Sequence, residues 1–166
     1  MEMPEKQSEI FETARDVLEK LLELMEIPAS VTVSHEFTVE EDDGTTASVG
    51  LNIEGEDLGI IIGRRGLTLA SLQHIVRLIV TNQMQMRLPI VIDVEGYKQR
   101  RCEGLRVLAG RLAEQVKTRR IPFTMEPMSA FERRIVHMAL ADDPDVTTES
   151  AGIGEGRKVV ISPKNF

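Results

Sequence analysis

Ile10, Phe11, Ala14, Val17, Leu18, Leu21, Leu22 and Met25 recur three and four apart, a spacing that predicts a helix closed by Pro28. Glu12, Asp16, Glu19, Glu23 and Glu26 give that helix an acidic opposite face. The period then shortens to two. Val31, Val33, His35, Phe37 and Val39 alternate with polar residues, as do Ala47, Val49, Leu51 and Ile53, and the turn Glu41-Asp42-Asp43-Gly44 between them predicts a hairpin. Leu58 to Ile62 predicts a short helix, and Leu69, Leu72, Ile75, Val76 and Ile79 a longer one. Pro89 then opens the β-branched run Ile90-Val91-Ile92-Asp93-Val94, suited to a buried strand. The order helix, strand, strand, helix, helix, strand completes one small α/β unit, 1–96.

The helical period resumes at Tyr97 and lasts to about Arg120, with Cys102, Leu105, Leu108, Ala109, Leu112 and Val116 as its apolar stripe. Lys98, Arg100, Arg101, Arg106, Arg111, Lys117, Arg119 and Arg120 fall on its other side, and Pro122 stops it. Phe123-Thr124-Met125 predicts a short strand. Ser129-Ala130-Phe131-Glu132 carries the Ser-x-x-Glu pattern of a capping box, so a further helix is expected to about Ala141. Val146 to Ser150 and Arg157 to Ser162 predict two closing strands joined by a glycine-rich turn. These elements form a second unit, 97–166, and the fold class is α+β.

Composition narrows the function. The 166 residues hold one cysteine, Cys102, which excludes an internal disulfide framework, and His35, His74 and His137 show no metal-ligand spacing. Cys102 on its apolar stripe reads as a small core residue, and His35 among Val and Phe as a structural histidine or an interface residue. No apolar run approaches the roughly 20 residues of a membrane span, and the acidic start lacks the pattern of a signal peptide. A cytoplasmic protein without membrane insertion is expected. No nucleophile–base pair or carboxylate cluster points to an enzyme, and no cofactor is implied.

Net charge is −7, but unevenly distributed. Residues 1–56 hold fifteen Asp and Glu against three Lys and Arg, a net of −12. Residues 57–166 hold twelve against seventeen, a net of +5. A ligand responds to potential within about a Debye length, ~8 Å, so the basic part remains a candidate polyanion surface.

Within it, Gly63-Arg64-Arg65-Gly66 stands between two helical patterns. The glycines permit a tight turn, the following helix offers unpaired N–H groups, and the arginines match phosphate geometry. Read alone, the same four residues also suit a plain helix–helix turn with solvated arginines. In the later helix, Arg133 and His137 are four apart and project from one face. Phe131, Ile135, Met138 and Ala139 are expected as the apolar stripe on the other. An Arg and a His on one exposed face suit a phosphate and a stacked base, or only a solvated surface.

Ile60-Ile61-Ile62-Gly63-Arg64-Arg65-Gly66-Leu67-Thr68-Leu69 resembles the signature loop of a KH domain, and the element order resembles the type II variant, α-β-β-α-α-β. The resemblance implies a clamp on single-stranded RNA at Gly63, Arg64, Arg65 and Gly66, with Ile60 and Ile61 on a groove wall. Residues 97–166, with Glu132-Arg133-Arg134-Ile135-Val136-His137, resemble the R-x-x-x-H domain, a three-stranded sheet with two helices. Arg133 and His137 would then bind nucleic acid, extended by Arg134, Arg157 and Lys158. The two in this order, over about 25–166, resemble the bacterial Jag (SpoIIIJ-associated) family. That implies a non-catalytic post-transcriptional regulator or RNA chaperone linked to cell envelope growth and division. It also implies pairing with itself or with a small KH-only protein. Family members commonly carry a further N-terminal domain, whose role is not transferred here. The alternatives are a single-stranded DNA binder or a protein-interaction scaffold that has lost nucleic-acid binding.

Overall fold

A computed structural model of the chain describes residues 5–34, 49–86 and 89–164, and its contacts divide it into two units, 1–98 and 99–166. The turn expected at Glu41–Gly44, with His35, Phe37, Val39 and Ala47, lies outside the described residues.

In the first unit α1 (Glu5–Leu24) buries Ile10, Phe11, Ala14, Leu18 and Leu22 and exposes Glu12, Asp16, Glu19 and Glu23. Strand β1 (Ala29–Ser34) pairs antiparallel with β2 (Val49–Gly55), and β2 pairs parallel with β3 (Ile90–Val94). A parallel neighbour requires a crossover. It is supplied by α2 (Gly59–Ile62), a single 3-10 turn (Arg64–Gly66) and α3 (Leu67–Met84). The observed order is thus α-β-β-α-α-β. The register sets Val31 opposite Ile53 and Leu51 opposite Ile92. These side chains form one core with Leu69, Leu72, Val76 and Val80 of α3 and the buried side of α1. Ile75, expected in the α3 stripe, is 46% exposed. The buried positions 69, 72, 76 and 80 follow the core, and 75 falls off that line.

Helix α4 (Tyr97–Arg119) begins in the first unit with Tyr97 and Lys98 and continues through the second. The second unit adds β4 (Phe123–Thr124), α5 (Ala130–Ala139), β5 (Val146–Ala151) and β6 (Lys158–Pro163), with sheet order β4-β6-β5, antiparallel throughout. Leu105, Ala109, Leu112 and Val116 of α4 pack with Ile135 and Val136 of α5 and Val159 and Ile161 of β6. Leu108 is half-exposed, because at 100° per residue it lies about 90° from the centre of the buried stripe. Cys102 packs at the margin of this core, and burial pushes its thiol pKa up. The expected capping box is present: Glu132 N–H donates to Ser129 Oγ (3.2 Å) and Ser129 N–H donates to Glu132 Oε2 (3.1 Å). Ser129→Ala should lower the stability of the second unit by about 1 kcal/mol in urea unfolding, with no change in the first.

Two basic side chains of α4 are tied to neighbouring groups of the second unit. Arg101 Nε sits 2.7 Å from Glu132 Oε1, which commits that cation to α5. Lys117 Nζ bridges Glu114 and Asp143, both at 2.8 Å, and these carboxylates raise its pKa. The acidic turn after α5 is therefore anchored to α4.

Candidate nucleic-acid interface

The turn between α2 and α3 is built on unusual backbone. Gly63 has φ +67° and ψ −171°, Arg65 φ +56° and ψ +32°, and Gly66 φ +79° and ψ +9°. The Gly63 conformation is essentially closed to L side chains. The space beside it is also filled: a Cβ there would stand 2.0 Å from Thr68 Oγ1. Arg65 is held left-handed without being glycine, a conformation that costs about 1–2 kcal/mol in an L residue. Gly63 N–H closes α2 by donating to Gly59 O at 2.8 Å, and Gly66, the N-cap of α3, offers no side-chain cap to the amides that follow, the first of which, Leu67 N–H, donates to Arg64 O. The outcome is a turn with an exposed Arg64, a half-buried Arg65 and an uncapped helix start. This arrangement suits the oxygens of an extended phosphate backbone.

Ile60 and Ile61 part company here. Ile60 is 70% exposed beside the turn, whereas Ile61 is 2% exposed and belongs to the core. A single helical turn cannot present consecutive side chains to the same surface. Ile61 therefore supports the turn from beneath, and Ile60, with Leu67 at 65% exposure, is the apolar surface beside it.

In the second unit Arg133 and His137 share a face of α5, but it is a flank turned toward β5 and half-buried, not an open outer face. Val136 and Leu140 carry the buried stripe, so Met138 and Ala139, expected within it, are exposed. Arg133 Nη1 donates to Ser150 Oγ at 3.0 Å. His137 Nε2 is 2.9 Å from the same oxygen, and its Nδ1 is 2.7 Å from Thr148 Oγ1.

Counting donors constrains this group. If the neutral ring carries its proton on Nδ1, Ser150 accepts from Arg133 and donates to Nε2. Nδ1–H then donates to Thr148, whose own proton is left over. If the proton is on Nε2, Thr148 donates to Nδ1 and Ser150 keeps its proton. Either tautomer uses both ring nitrogens and leaves one hydroxyl proton for an outside acceptor. Burial, and then the charge of Arg133, hold the His137 pKa below the ordinary imidazole value, so the ring is neutral at pH 7. Arg133 Nε is buried without a hydrogen-bond partner among the described residues. An unmet donor of this kind typically costs about 1–3 kcal/mol.

The remaining cations separate. Arg134 and Arg157 are exposed. Ser150 lies opposite Val159 in the sheet and Lys158 opposite Ala151, so strand alternation puts Lys158 on the face away from Arg133 and His137. Thr148 and Ser150 were missed in sequence. Their signal is weak: after Val146, the core-side positions of β5 turn polar. Among the described residues there is no group of three metal-ligating side chains, and no helix is long and apolar enough to cross a membrane.

The sequence matches the family model described as "KhpA/KhpB, KH domain" over residues 15–92 and the model of the R-x-x-x-H domain over 103–163. It is 37% identical over 151 residues to RNA-binding protein KhpB of Clostridium symbiosum, covering 91% of this chain and 65% of that protein. Against RNA-binding protein KhpB of Bacillus subtilis strain 168 it is 34% identical over 145 residues, covering 86% and 68%. Against RNA-binding protein KhpB of Streptococcus pneumoniae serotype 2 it is 30% identical over 133 residues, covering 78% and 40%. This chain thus spans about two thirds of the first two relatives and less of the third.

Proposed function

The chain belongs to the KhpB (Jag) family, with a KH domain followed by an R-x-x-x-H domain, and on that premise we propose that it binds single-stranded RNA without catalysing a reaction. The observation that carries the reading is the Gly63–Gly66 turn. Three of its four residues are held at positive φ, and the turn places two arginines ahead of an uncapped helix. Arg133, His137, Thr148 and Ser150 supply a second, hydroxyl-rich contact. Two modest contacts on one chain raise apparent affinity through effective concentration. With few aromatic residues to stack on, phosphate recognition dominates, so binding should weaken steeply with salt. Measuring the affinity of short RNA oligomers at several salt concentrations tests this. Salt-independent binding, or equal binding to double-stranded RNA, would reject it.

The sign of the pH dependence follows from His137. Its pKa in the folded chain lies below the unfolded value, so the unfolded state binds more protons as pH falls below about 6.5. The free second unit therefore loses stability from there down to the folded pKa, and is most stable above that window. A phosphate beside the ring favours imidazolium, so RNA affinity should rise over the same descent. The charged group facing the ring from α5 is Arg133, and β5 presents Thr148 and Ser150. Glu132 is turned to Arg101 of α4, and β6 presents Val159 and Ile161 on that face. His137→Asn should remove the pH dependence of both quantities, read by urea unfolding and by RNA anisotropy from about pH 7.5 to 5.5.

A role as a cytoplasmic post-transcriptional regulator or RNA chaperone tied to envelope growth and division is the physiological side of the same proposal, supported by the Jag resemblance. Crosslinking RNA to the protein in cells and sequencing it tests that role. The resemblance also supports pairing with itself or with a small KH-only protein. Ile75 and Leu78, 46% and 57% exposed on α3, offer apolar surface for it.

A further inference from the structure

Residues 93–102 fall between the two matched family segments. Even so, the front of this stretch is built into the loop of the first unit. Asp93 is fully buried, and its Oδ1 accepts the N–H of Lys98 at 3.1 Å, in the first turn of α4. Helix N–H groups there lack internal partners, so a carboxylate fixes where the helix starts. The turn between them, with Glu95 at φ +48° and Gly96 at φ +72°, is held from β2. Asn52 Oδ1 accepts from Glu95 N–H at 3.0 Å, and Glu95 Oε1 accepts from Gly55 N–H at 3.3 Å. On the α3 side, Gln73 Oε1 accepts both Ile92 N–H (2.9 Å) and Lys98 Nζ (2.8 Å).

This bracing aims Tyr97. Its half-buried ring packs on the first core and lies against Gly66: a Cβ there would stand 3.0 Å from Tyr97 Cε1 and 3.3 Å from Tyr97 Oη. The ring thus fills the space behind the last residue of the turn, where α3 begins.

We infer that Tyr97 is a positioning residue of the loop's RNA site. It holds Gly66 in its left-handed turn, so that Arg64 and Arg65 present one ready-made surface to the phosphates. The inference rests on the RNA-binding reading of that loop. A loop ordered in advance avoids the entropy of ordering on binding. The packed ring does this, with Cε1 the atom nearest to where a Gly66 Cβ would stand.

Tyr97 is the only tyrosine in a chain without tryptophan, so its emission reports on this site alone. The test titrates the intact chain with a dye-labelled single-stranded RNA, following dye anisotropy and tyrosine emission together, with Tyr97→Phe as the emission blank. Both signals should move with the same midpoint, and the emission change should vanish in the Arg64→Ala, Arg65→Ala variant. In an Arg133→Ala, His137→Ala background, Tyr97→Ala should weaken binding about tenfold, and Tyr97→Phe should restore it to within about threefold. Tyr97→Leu, which keeps volume without a planar ring, takes the place of the alanine variant should that one fail to fold. Binding with unchanged emission overturns the inference and leaves the RNA reading intact, as does a folded Ala or Leu variant that binds like its parent. Absence of anisotropy change at any RNA concentration overturns the RNA reading and the inference with it.

Discussion

Reversing both loop charges, Arg64→Asp with Arg65→Asp, should weaken single-stranded RNA binding by about 100-fold near 0.1 M salt and flatten its salt dependence. Each phosphate that the protein ceases to neutralise on a single strand takes about 0.7 off the log–log salt slope, so two take off about 1.4. Reversal also turns attraction into repulsion at contact distance, where screening by salt is least effective. A control separates local contact from net charge. Arg119→Asp with Arg120→Asp changes the total charge equally, at exposed positions around the end of α4. It should cost a few-fold at most. Equal losses in the two double variants would mean that overall charge, and not the turn, governs binding. Nitrocellulose capture of labelled RNA at four or five salt concentrations reads both the affinity and the slope.

The other large effect is expected at Gly63. Gly63→Ala forces an L side chain into a backbone conformation that costs about 1–3 kcal/mol by itself. It also drives a Cβ to within 2.0 Å of Thr68 Oγ1 and 2.6 Å of Thr68 Cβ, at the start of α3. The first unit should lose roughly 3 kcal/mol, in the upper part of the range for single substitutions. Urea unfolding followed by Tyr97 emission reads this, because Tyr97 packs on the first core. Pairing the change with Thr68→Gly should recover only the side-chain collision. The backbone nitrogen of residue 68 would still lie 3.0 Å from the new Cβ, and the φ of +67° is unchanged. A Gly63→Ala protein as stable as its parent would show that the turn takes a different path.

The elements and the turn were legible because each writes a short-range pattern. The period of Ile10 to Leu22 fixes a buried helix face, alternation marks β2, and Ser129 with Glu132 marks the start of α5. Gly63-Arg64-Arg65-Gly66 could be singled out because glycine spacing reports backbone geometry directly. Which way a side chain faces at the margin of a stripe was not legible. Ile60 and Ile61 look alike in sequence, but one turn of helix must bury one and expose the other. Arg133 and His137 share a face, yet whether it points to solvent depends on how α5 lies on β5, a non-local fact. Their partners Thr148 and Ser150 are eleven or more residues away and chemically ordinary. Tyr97 sits 31 positions from Gly66 and looked like the first residue of a new helix. Its role depends on packing that no local period encodes.

The most direct test of the account is an amide-resolved NMR titration of the isotope-labelled chain with a short single-stranded RNA. The largest shifts should cluster at Gly63 to Leu67 and around Arg133, His137, Thr148 and Ser150, while the acidic face of α1 stays still. Saturable binding whose shifts fall on other residues, with the Gly63–Gly66 amides unmoved, would contradict it.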